Sequence, residues 1–268
     1  MKKILFFISV SIFLCSSTEA QTLTSETLLQ DRNGNGTIDI LAYGDSITRG
    51  EGDFTSSKEK VFETDPVSGE ASYPLRIEKY LGIPVENDGS PGESLTGPDT
   101  LKRFINSVIS SNPDLVLIQE GSNDGRKFVT AGSFYRRMQA MINVARAYGA
   151  TPVVGTITPT CLGHDFLRQF IDIYNAQIKT LAVVNKFDLA DNYHSFANTC
   201  NIGNCDLINR PEGLHPNENG YDVLGEGFIA TLLKINIFAP DGPTLLAQAL
   251  NLPITSIYTV PDPVVPTP

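Results

Sequence analysis

The chain has 268 residues, 41% of them hydrophobic, and a formal net charge of −10 at pH 7. A chain of this length and apolar content can bury a full core, as one large α/β domain or two small ones. Its negative charge repels nucleic acid and anionic lipid, which excludes both as natural partners.

The first twenty residues differ in composition from the rest of the chain. Two lysines precede a short apolar run, and small and polar residues then lead to Ala20. This order predicts a signal peptide over residues 1–20, cleaved after Ala20, and a secreted or periplasmic protein. The apolar run is too short for a transmembrane anchor. A lipoprotein cleavage site at Cys15 is the weaker alternative, because the bulky Leu14 precedes it.

Residues 21–37 form an N-terminal segment that runs into the stretch DRNGNGTID. The oxygen-bearing side chains of this stretch have the spacing of an EF-hand-like calcium loop, with Gly36 at the sharp turn. They are Asp31, Asn33, Asn35, Thr37 and Asp39. Ala42 stands where the loop needs a bidentate carboxylate, so a pair of Asn-Gly turns also fits. The pattern predicts at most a weak structural calcium ion, and no cofactor is required for function.

Five apolar runs alternate with helical patterns over residues 38–239. The runs cover residues 38–43, 83–87, 114–120, 151–157 and 186–192. The alternation predicts the α/β class, as a three-layer α/β/α sandwich with a doubly wound, five-stranded parallel sheet. The flavodoxin-like strand order 2-1-3-4-5 is favoured.

Three longer helical patterns and two shorter ones lie between and after these runs. The first begins at Ser133, which is expected to cap the helix, and ends at Gly149. All five patterns cover residues 133–149, 166–184, 220–235, 74–81 and 100–110.

Two segments do not fit the alternation. Residues 51–72 form a polar loop that either walls a substrate cleft or is a surface excursion. Residues 240–268 are expected to form a C-terminal tail or linker without a core of its own.

Three cysteines follow the signal peptide. In an oxidising compartment they predict one disulfide and one unpaired cysteine. The short gap between Cys200 and Cys205, with Gly203 inside it, makes that pair plausible, while Cys161 can compete for either partner. Because no histidine lies at ligand spacing from these cysteines, a metal site there is not expected.

Four short blocks of small and polar residues punctuate the domain. GDS, NDGSPGES and GSND occupy residues 44–46, 87–94 and 121–124, at the ends of strands 1, 2 and 3. The fourth block, EGLHP, lies at 212–216, ahead of the last helix. In a doubly wound sheet the three strand ends converge at one edge, where ligands bind.

The residue types in these blocks are those of acyl transfer. We expect Ser46 to attack a carbonyl, His215 to take its proton and Glu212 to orient the imidazole. The N–H groups of Ser46 and Gly92 and the amide of Asn123 would receive the developing oxyanion.

These four blocks, in this order, resemble those of the SGNH hydrolases, the GDSL-type esterases and lipases. The resemblance covers residues 38–235 and implies an α/β/α esterase fold, metal-free hydrolysis and the roles given above. One departure concerns the triad acid, because the family usually has Asp three residues before its histidine and this chain has Glu212. Asp206 and Asp191 stay open as alternatives.

The remaining histidines, His164 and His194, match no block. Both are expected at the surface or the cleft rim, with His164 the better candidate for substrate contact. Asp45 is expected to support the turn and not to serve as the triad acid.

The sequence therefore predicts a secreted serine esterase that acts through an acyl-serine on Ser46. Short acyl groups on carbohydrate, most simply acetyl esters of a polysaccharide, are the favoured substrates. A lipid-directed lysophospholipase or thioesterase is the alternative among enzymes. A non-catalytic carbohydrate-binding module on the same fold is the alternative from another class. The expected partner is a small-molecule or polysaccharide ester, and the oligomeric state is not predicted.

Overall fold

The computed structural model describes residues 27–53, 72–200 and 202–257. The predicted signal peptide and most of the polar loop at 51–72 lie outside the described residues.

The core of the described fold is one parallel sheet in the order β2-β1-β3-β4-β5, which confirms the predicted fold class and strand order. Its register sets Gly44 beside both Gly89 and Gln119, so the first three strands end at one level. The blocks that follow these strands therefore share one edge of the sheet. The strands are β1 (Ile40–Gly44), β2 (Val85–Gly89), β3 (Leu115–Gln119), β4 (Thr151–Gly155) and β5 (Asp188–Ala190).

Helices pack on both faces of this sheet, within the described part of the chain. They are α1 (Ser46–Arg49), α2 (Tyr73–Leu81), α3 (Thr100–Ser111), α4 (Ser122–Arg126), α5 (Ala131–Ala147), α6 (Arg168–Asn185), α7 (Asn192–Thr199), α8 (Glu218–Leu232) and α9 (Gly242–Ala249). None of the helices in these ranges is long and apolar enough to cross a membrane.

The two faces of the sheet bury two separate apolar clusters. Successive side chains of a strand point to opposite faces, so Ile40 and Ala42 pack with α2, α7, α8 and α9. Leu41 and Tyr43 pack with α3, α5 and α6. Every residue of β1 and of β3 is buried, as expected for central strands covered on both faces.

The start of α5 differs from the prediction. The helix is capped by Thr130, whose hydroxyl accepts the N–H of Ser133, and Ser133 itself lies in the first turn. Both residues are good caps, and the sequence pattern did not distinguish between them. The helix ends before Gly149, which adopts a left-handed φ of 84°.

The prediction of a tail without a core from residue 240 is wrong for the described part, which ends at residue 257. Residues 242–249 form α9, and a short 3₁₀ turn follows at Ile254–Ser256. Leu246, Ala247 and Ile257 are buried in the cluster below α8. The helix has only eight residues, too few for a clear helical pattern of apolar positions in the sequence. Its stability comes from packing against the rest of the domain.

Of the disulfide pairings that the sequence leaves open, Cys200 to Cys205 is not the one that forms. Cys161 pairs with Cys205, and Cys200 is free and partly buried. Cys200 directly follows α7, and its thiol donates to the carbonyl of Phe196 in that helix. Cys161 is brought near by the chain after β4, because its N–H donates to the carbonyl of Gly213. The disulfide therefore ties the exit of β4 to the segment that leads into EGLHP.

The DRNGNGTID stretch folds as a set of side-chain-to-backbone turns. The Asp39 carboxylate accepts the amides of Asn33 and Asn35, at 3.1 and 2.6 Å. Asp31 accepts the N–H of Gly36. The hydrogen bonds from Asn35 and then Asn33 lower the pKa of Asp39. Among the described residues no group of three or more His, Cys, Asp or Glu side chains is arranged to hold a metal ion. Calcium binding by this stretch stays a prediction.

Candidate active site

Ser46 stands at the carboxyl edge of the sheet, as the first residue of α1. Asp45 caps this helix, with its carboxylate accepting the N–H of Ile47 at 2.9 Å. The single turn of α1 then ends at Gly50, whose φ is 103°. Ser46 is buried in this position, with only 5% of its surface exposed.

The glycine at the end of β1 is required by close packing. A Cβ on Gly44 would lie 2.1 Å from Oγ1 of Thr48 and 2.3 Å from the carbonyl oxygen of Gln119. Only glycine lets α1 turn back this tightly over β3, which explains why an apolar strand ends in Gly-Asp-Ser.

His215 reaches the serine from the opposite end of the sequence. Its Nε2 lies 2.8 Å from Oγ of Ser46. The His215 carbonyl accepts the N–H of Asn209, whose side chain also donates to the carbonyl of Gly52. A Cβ on Gly52 would lie 3.1 Å from that of His215. The second glycine of GEG therefore allows the segment after α1 to pack directly on the histidine.

Glu212 lies on the other side of the imidazole. Its Oε1 is 3.0 Å from Nδ1 of His215. Its Oε2 accepts the N–H groups of Leu214 and His215, at 3.0 and 2.9 Å. The side chain folds back over its own turn. This accommodates the extra methylene of glutamate, compared with the aspartate usual at this position.

The two alternative acids are engaged elsewhere. Asp206 lies 3.9 Å from Arg210, and Asp191 pairs with Lys179 at 2.8 Å. Of the three acids considered from the sequence, Glu212 is the one in contact with His215.

The electrostatics of this pair favour an imidazole that accepts from the serine. Partial burial alone would raise the pKa of Glu212, but the hydrogen bond from His215 and the two backbone N–H groups lower it to about 2. Burial likewise opposes charge on His215, but the hydrogen bond and charge of Glu212, then Glu51 and Asp45, raise its pKa. An ionised Glu212 holds the proton on Nδ1, which leaves the Nε2 lone pair free for Ser46.

Asn123 contacts the residues next to the other two predicted oxyanion donors, Ser46 and Gly92. The N–H groups of Ser46 and Gly92 have no hydrogen-bond acceptor among the described residues. Gly92 has a left-handed φ of 72°. The Asn123 amide donates to the carbonyl of Glu93 at 2.8 Å and to Asp45 at 3.3 Å. Asn123 is therefore oriented by the residue that follows Gly92.

Sequence reasoning missed the brace around Glu93. Its carboxylate receives two hydrogen bonds from Arg103, at 2.7 and 2.8 Å, and one from the Tyr43 hydroxyl at 2.7 Å. Arg103 also pairs with Asp88 at 2.6 Å. The brace fixes the loop that carries Gly92 against the end of β1. Its only sequence signal is the charged residue directly after that glycine.

A second missed feature is a buried acid pair beneath the serine. Asp45 and Glu120 follow adjacent strands, and each is 1% exposed. Burial raises the pKa of Asp45, and burial together with the charge of Asp45 raises that of Glu120 well above its ordinary value. Both carboxyls are therefore harder to ionise than an exposed acid.

The two other histidines do not contact Ser46. Nδ1 of His164 donates to the carbonyl of Glu212 at 2.7 Å, so this side chain supports the loop of the acid. His194 is exposed and stacks on Phe238.

The geometry of the four blocks agrees with a match to a known family. Residues 42–223 match the family described as "GDSL-like Lipase/Acylhydrolase family". The chain belongs to this family. GDSL-like acylhydrolases are carboxylic ester hydrolases, and the matched range includes all four blocks. No curated protein matches the sequence.

Solved structures share the GDSL-type fold at low sequence identity. A lipase/acylhydrolase from Enterococcus faecalis is 22% identical, with a TM-score of 0.60, over 74% of this chain and 96% of its own. An acetylxylan esterase from Geobacillus stearothermophilus is 20% identical, with a TM-score of 0.59, over 75% and 96%. A GDSL-family lipolytic protein from Veillonella parvula DSM 2008 is 21% identical, with a TM-score of 0.57, over 72% and 97%. At these identities the likeness establishes the fold.

Proposed function

We propose that this protein is a secreted serine esterase that hydrolyses carboxylic esters through an acyl-enzyme on Ser46. The observation that carries the proposal is the continuous contact from Ser46 Oγ to His215 Nε2 and from His215 Nδ1 to Glu212, at 2.8 and 3.0 Å. Nucleophile, base and orienting acid within hydrogen-bond reach are the arrangement that activates a serine.

Acylation begins when Ser46 Oγ attacks the ester carbonyl and its proton passes to His215 Nε2. The oxyanion that forms accepts hydrogen bonds from the N–H groups of Ser46 and Gly92. The Asn123 amide turns toward the oxyanion and donates a third. Collapse of this intermediate breaks the bond to the alcohol oxygen, which takes the proton from Nε2. An acyl group remains on Ser46, and the alcohol leaves.

Deacylation repeats these steps with water as the nucleophile. The water loses a proton to Nε2 of His215 as its oxygen adds to the acyl carbon. Collapse then breaks the bond to Ser46 Oγ, which recovers the proton, and the carboxylic acid leaves. Glu212 stays ionised throughout and stabilises the imidazolium in both halves of the reaction.

Short acyl esters of carbohydrate, acetyl esters above all, are the substrates we propose. A fold neighbour is an acetylxylan esterase, and the negative charge of the chain disfavours anionic lipid surfaces. Secretion is proposed from the predicted signal peptide, and the disulfide between Cys161 and Cys205 is compatible with an oxidising compartment.

An apolar rim gives a lipid ester as the second candidate substrate. Phe128, Phe166 and Leu162 are 70%, 50% and 45% exposed. Phe128 follows helix α4, and the other two lie on the segment whose His164 contacts Glu212. Exposed apolar side chains at this edge would suit the acyl chain of a lysophospholipid or thioester.

Rates on two ester lengths test the proposal and separate the substrates. We expect p-nitrophenyl acetate to be hydrolysed with a higher kcat/KM than p-nitrophenyl octanoate, and acetylated xylan to release acetate. Ser46→Ala should abolish all of these activities, whereas the matched control Ser110→Ala, at an exposed position of α3, should leave them unchanged. A preference for octanoate would support the lipid candidate, and full activity in Ser46→Ala would rule out the mechanism.

A non-catalytic carbohydrate-binding module is the alternative from another class. It predicts that both wild type and Ser46→Ala bind acetylated xylan and that neither releases acetate.

A further inference from the structure

His215 lies between two carboxylates, only one of which belongs to the predicted triad. Oε2 of Glu51 is 3.4 Å from His215 Nε2, on the side of the ring that faces Ser46. The side chains of Glu51 and His215 are 14% and 18% exposed. At this distance and burial, solvent screens their interaction only in part.

The backbone around Glu51 is tied to the site at several points. Its N–H donates to the carbonyl of Ser46 at 3.0 Å, and its carbonyl accepts the Tyr221 hydroxyl at 2.7 Å. The next residue, Gly52, packs against His215. The position of Glu51 beside the imidazole is thus built into the same turn that presents Ser46.

The charged groups that act on His215 are acidic. They are Glu212 from its own loop and Glu51 and Asp45 from the segment after β1. Arg76, the buried arginine of α2, is paired with Asp53 and Asp222.

We propose that Glu51 is a second acceptor for protonated His215, so that the imidazolium formed during ester hydrolysis is held by Glu212 at Nδ1 and by Glu51 at Nε2. The proposal rests on the proposed function, since that imidazolium is the intermediate of the serine mechanism. In the resting enzyme the Nε2 lone pair faces Ser46, and a carboxylate beside a lone pair gives no hydrogen bond. Once Nε2 carries the proton, the same carboxylate attracts it.

Glu51 makes His215 a stronger base. As the pH is lowered, His215 therefore becomes protonated, and inactive as a base, at a higher pH than it would without Glu51. Glu51 is one of the charges that raise the pKa of His215, after Glu212. Below that pKa the imidazole is already protonated and cannot accept the serine proton. The contact to Glu51, at 3.4 Å, is longer than the 2.8 Å to Ser46, so the proton stays available to the leaving oxygen. Glu51 acts through His215 and is a positioning residue.

The direct test is NMR titration of the histidine side chains in the wild type and in Glu51→Gln, which keeps the shape and removes the charge. The chain has three histidines, so His215→Gln assigns the signal. We expect the His215 pKa to fall by about 0.5–1 unit in Glu51→Gln. The matched control Glu86→Gln, at an exposed position of β2, should leave the His215 pKa unchanged.

The pH profile of kcat/KM gives the second readout. Its acid limb should move to lower pH in Glu51→Gln by the same amount as the His215 pKa, and Glu51→Asp should restore part of the shift. An unchanged or higher His215 pKa in Glu51→Gln would overturn the proposal. If neither form hydrolyses esters, the proposed function fails, while the NMR titration still decides the role of Glu51.

Discussion

Replacing Glu212 with glutamine tests the interaction between the Glu212 carboxylate and His215. Glutamine can still accept one backbone N–H, but it carries no charge and its amide can donate to Nδ1 of His215. The imidazole would then carry its proton on Nε2 and lose the lone pair that Ser46 requires. We expect kcat/KM to fall by about 10²–10⁴-fold, the range for losing the orienting acid of such a site.

The structure also sets the cost to stability. The pKa of Glu212 falls from 4.5 to about 2 in the folded protein, a change worth about 3 kcal/mol. The side chain is 38% exposed, and screening by solvent reduces the free-energy contribution to about 1–2 kcal/mol. Glu212→Gln should lower the free energy of unfolding by that amount when both partners are ionised.

The pH dependence of this loss has a definite sign. The lowered pKa of Glu212 stabilises the fold above pH 4.5, and this is lost as the pH falls through about 2. The raised pKa of His215 stabilises the folded protein below pH 6.5, and this stabilisation is lost as the pH rises through the pKa of His215 in the folded state. The difference between wild type and Glu212→Gln should therefore be largest between pH 4.5 and 6.5.

Urea unfolding at several pH values measures that difference, and p-nitrophenyl acetate hydrolysis measures the rate. Glu86→Gln serves as the matched control on both counts, with changes within about 0.5 kcal/mol for an exposed position. A kcat/KM within threefold of wild type, or a stability loss that does not vary with pH, would refute the reasoning.

Three further perturbations follow from the packing and from the N-terminal turn. Gly44→Ala should destabilise the fold by more than about 3 kcal/mol in urea unfolding, because the new methyl overlaps backbone and side-chain atoms at about 2 Å; a loss under about 1 kcal/mol would contradict the packing. Cys161→Ser opens a disulfide that spans 44 residues and should cost about 2–4 kcal/mol, whereas Cys200→Ser should change stability by under about 1 kcal/mol; the reverse order would mean that Cys200, not Cys161, pairs with Cys205. Calcium at millimolar concentration should raise the melting temperature if the N-terminal loop binds it, and Asp31→Asn should remove that increase; no increase in the wild type would leave the loop a pair of turns.

Much of the fold was predictable because its signals are local. The strand runs and the blocks after them depend on residues next to each other in sequence, and a doubly wound sheet has few possible orders. The contact between Ser46 and His215 joins residues 169 positions apart. It was predictable because the residue types of the fourth block complete those at the sheet edge, in the order that resembles a known family.

The features that were missed depend on contacts between distant segments. Cys161 meets Cys205 because the chain after β4 runs along Gly213, and no spacing rule encodes that approach. In the sequence, Glu51 is the first residue of a polar loop. Its place beside His215 follows only from the packing of Gly52 on that histidine. Helix α9 is too short to show a period of its own and is stabilised by the cluster it joins.

Covalent labelling of the serine tests the central claim most directly. The purified protein would be treated with a fluorophosphonate probe, digested and sequenced by mass spectrometry. We expect a single phosphonylated residue, Ser46, in wild type, with labelling lost in Ser46→Ala and strongly slowed in His215→Gln. Modification of a different serine, or no labelling of wild type that does hydrolyse esters, would contradict the central claim.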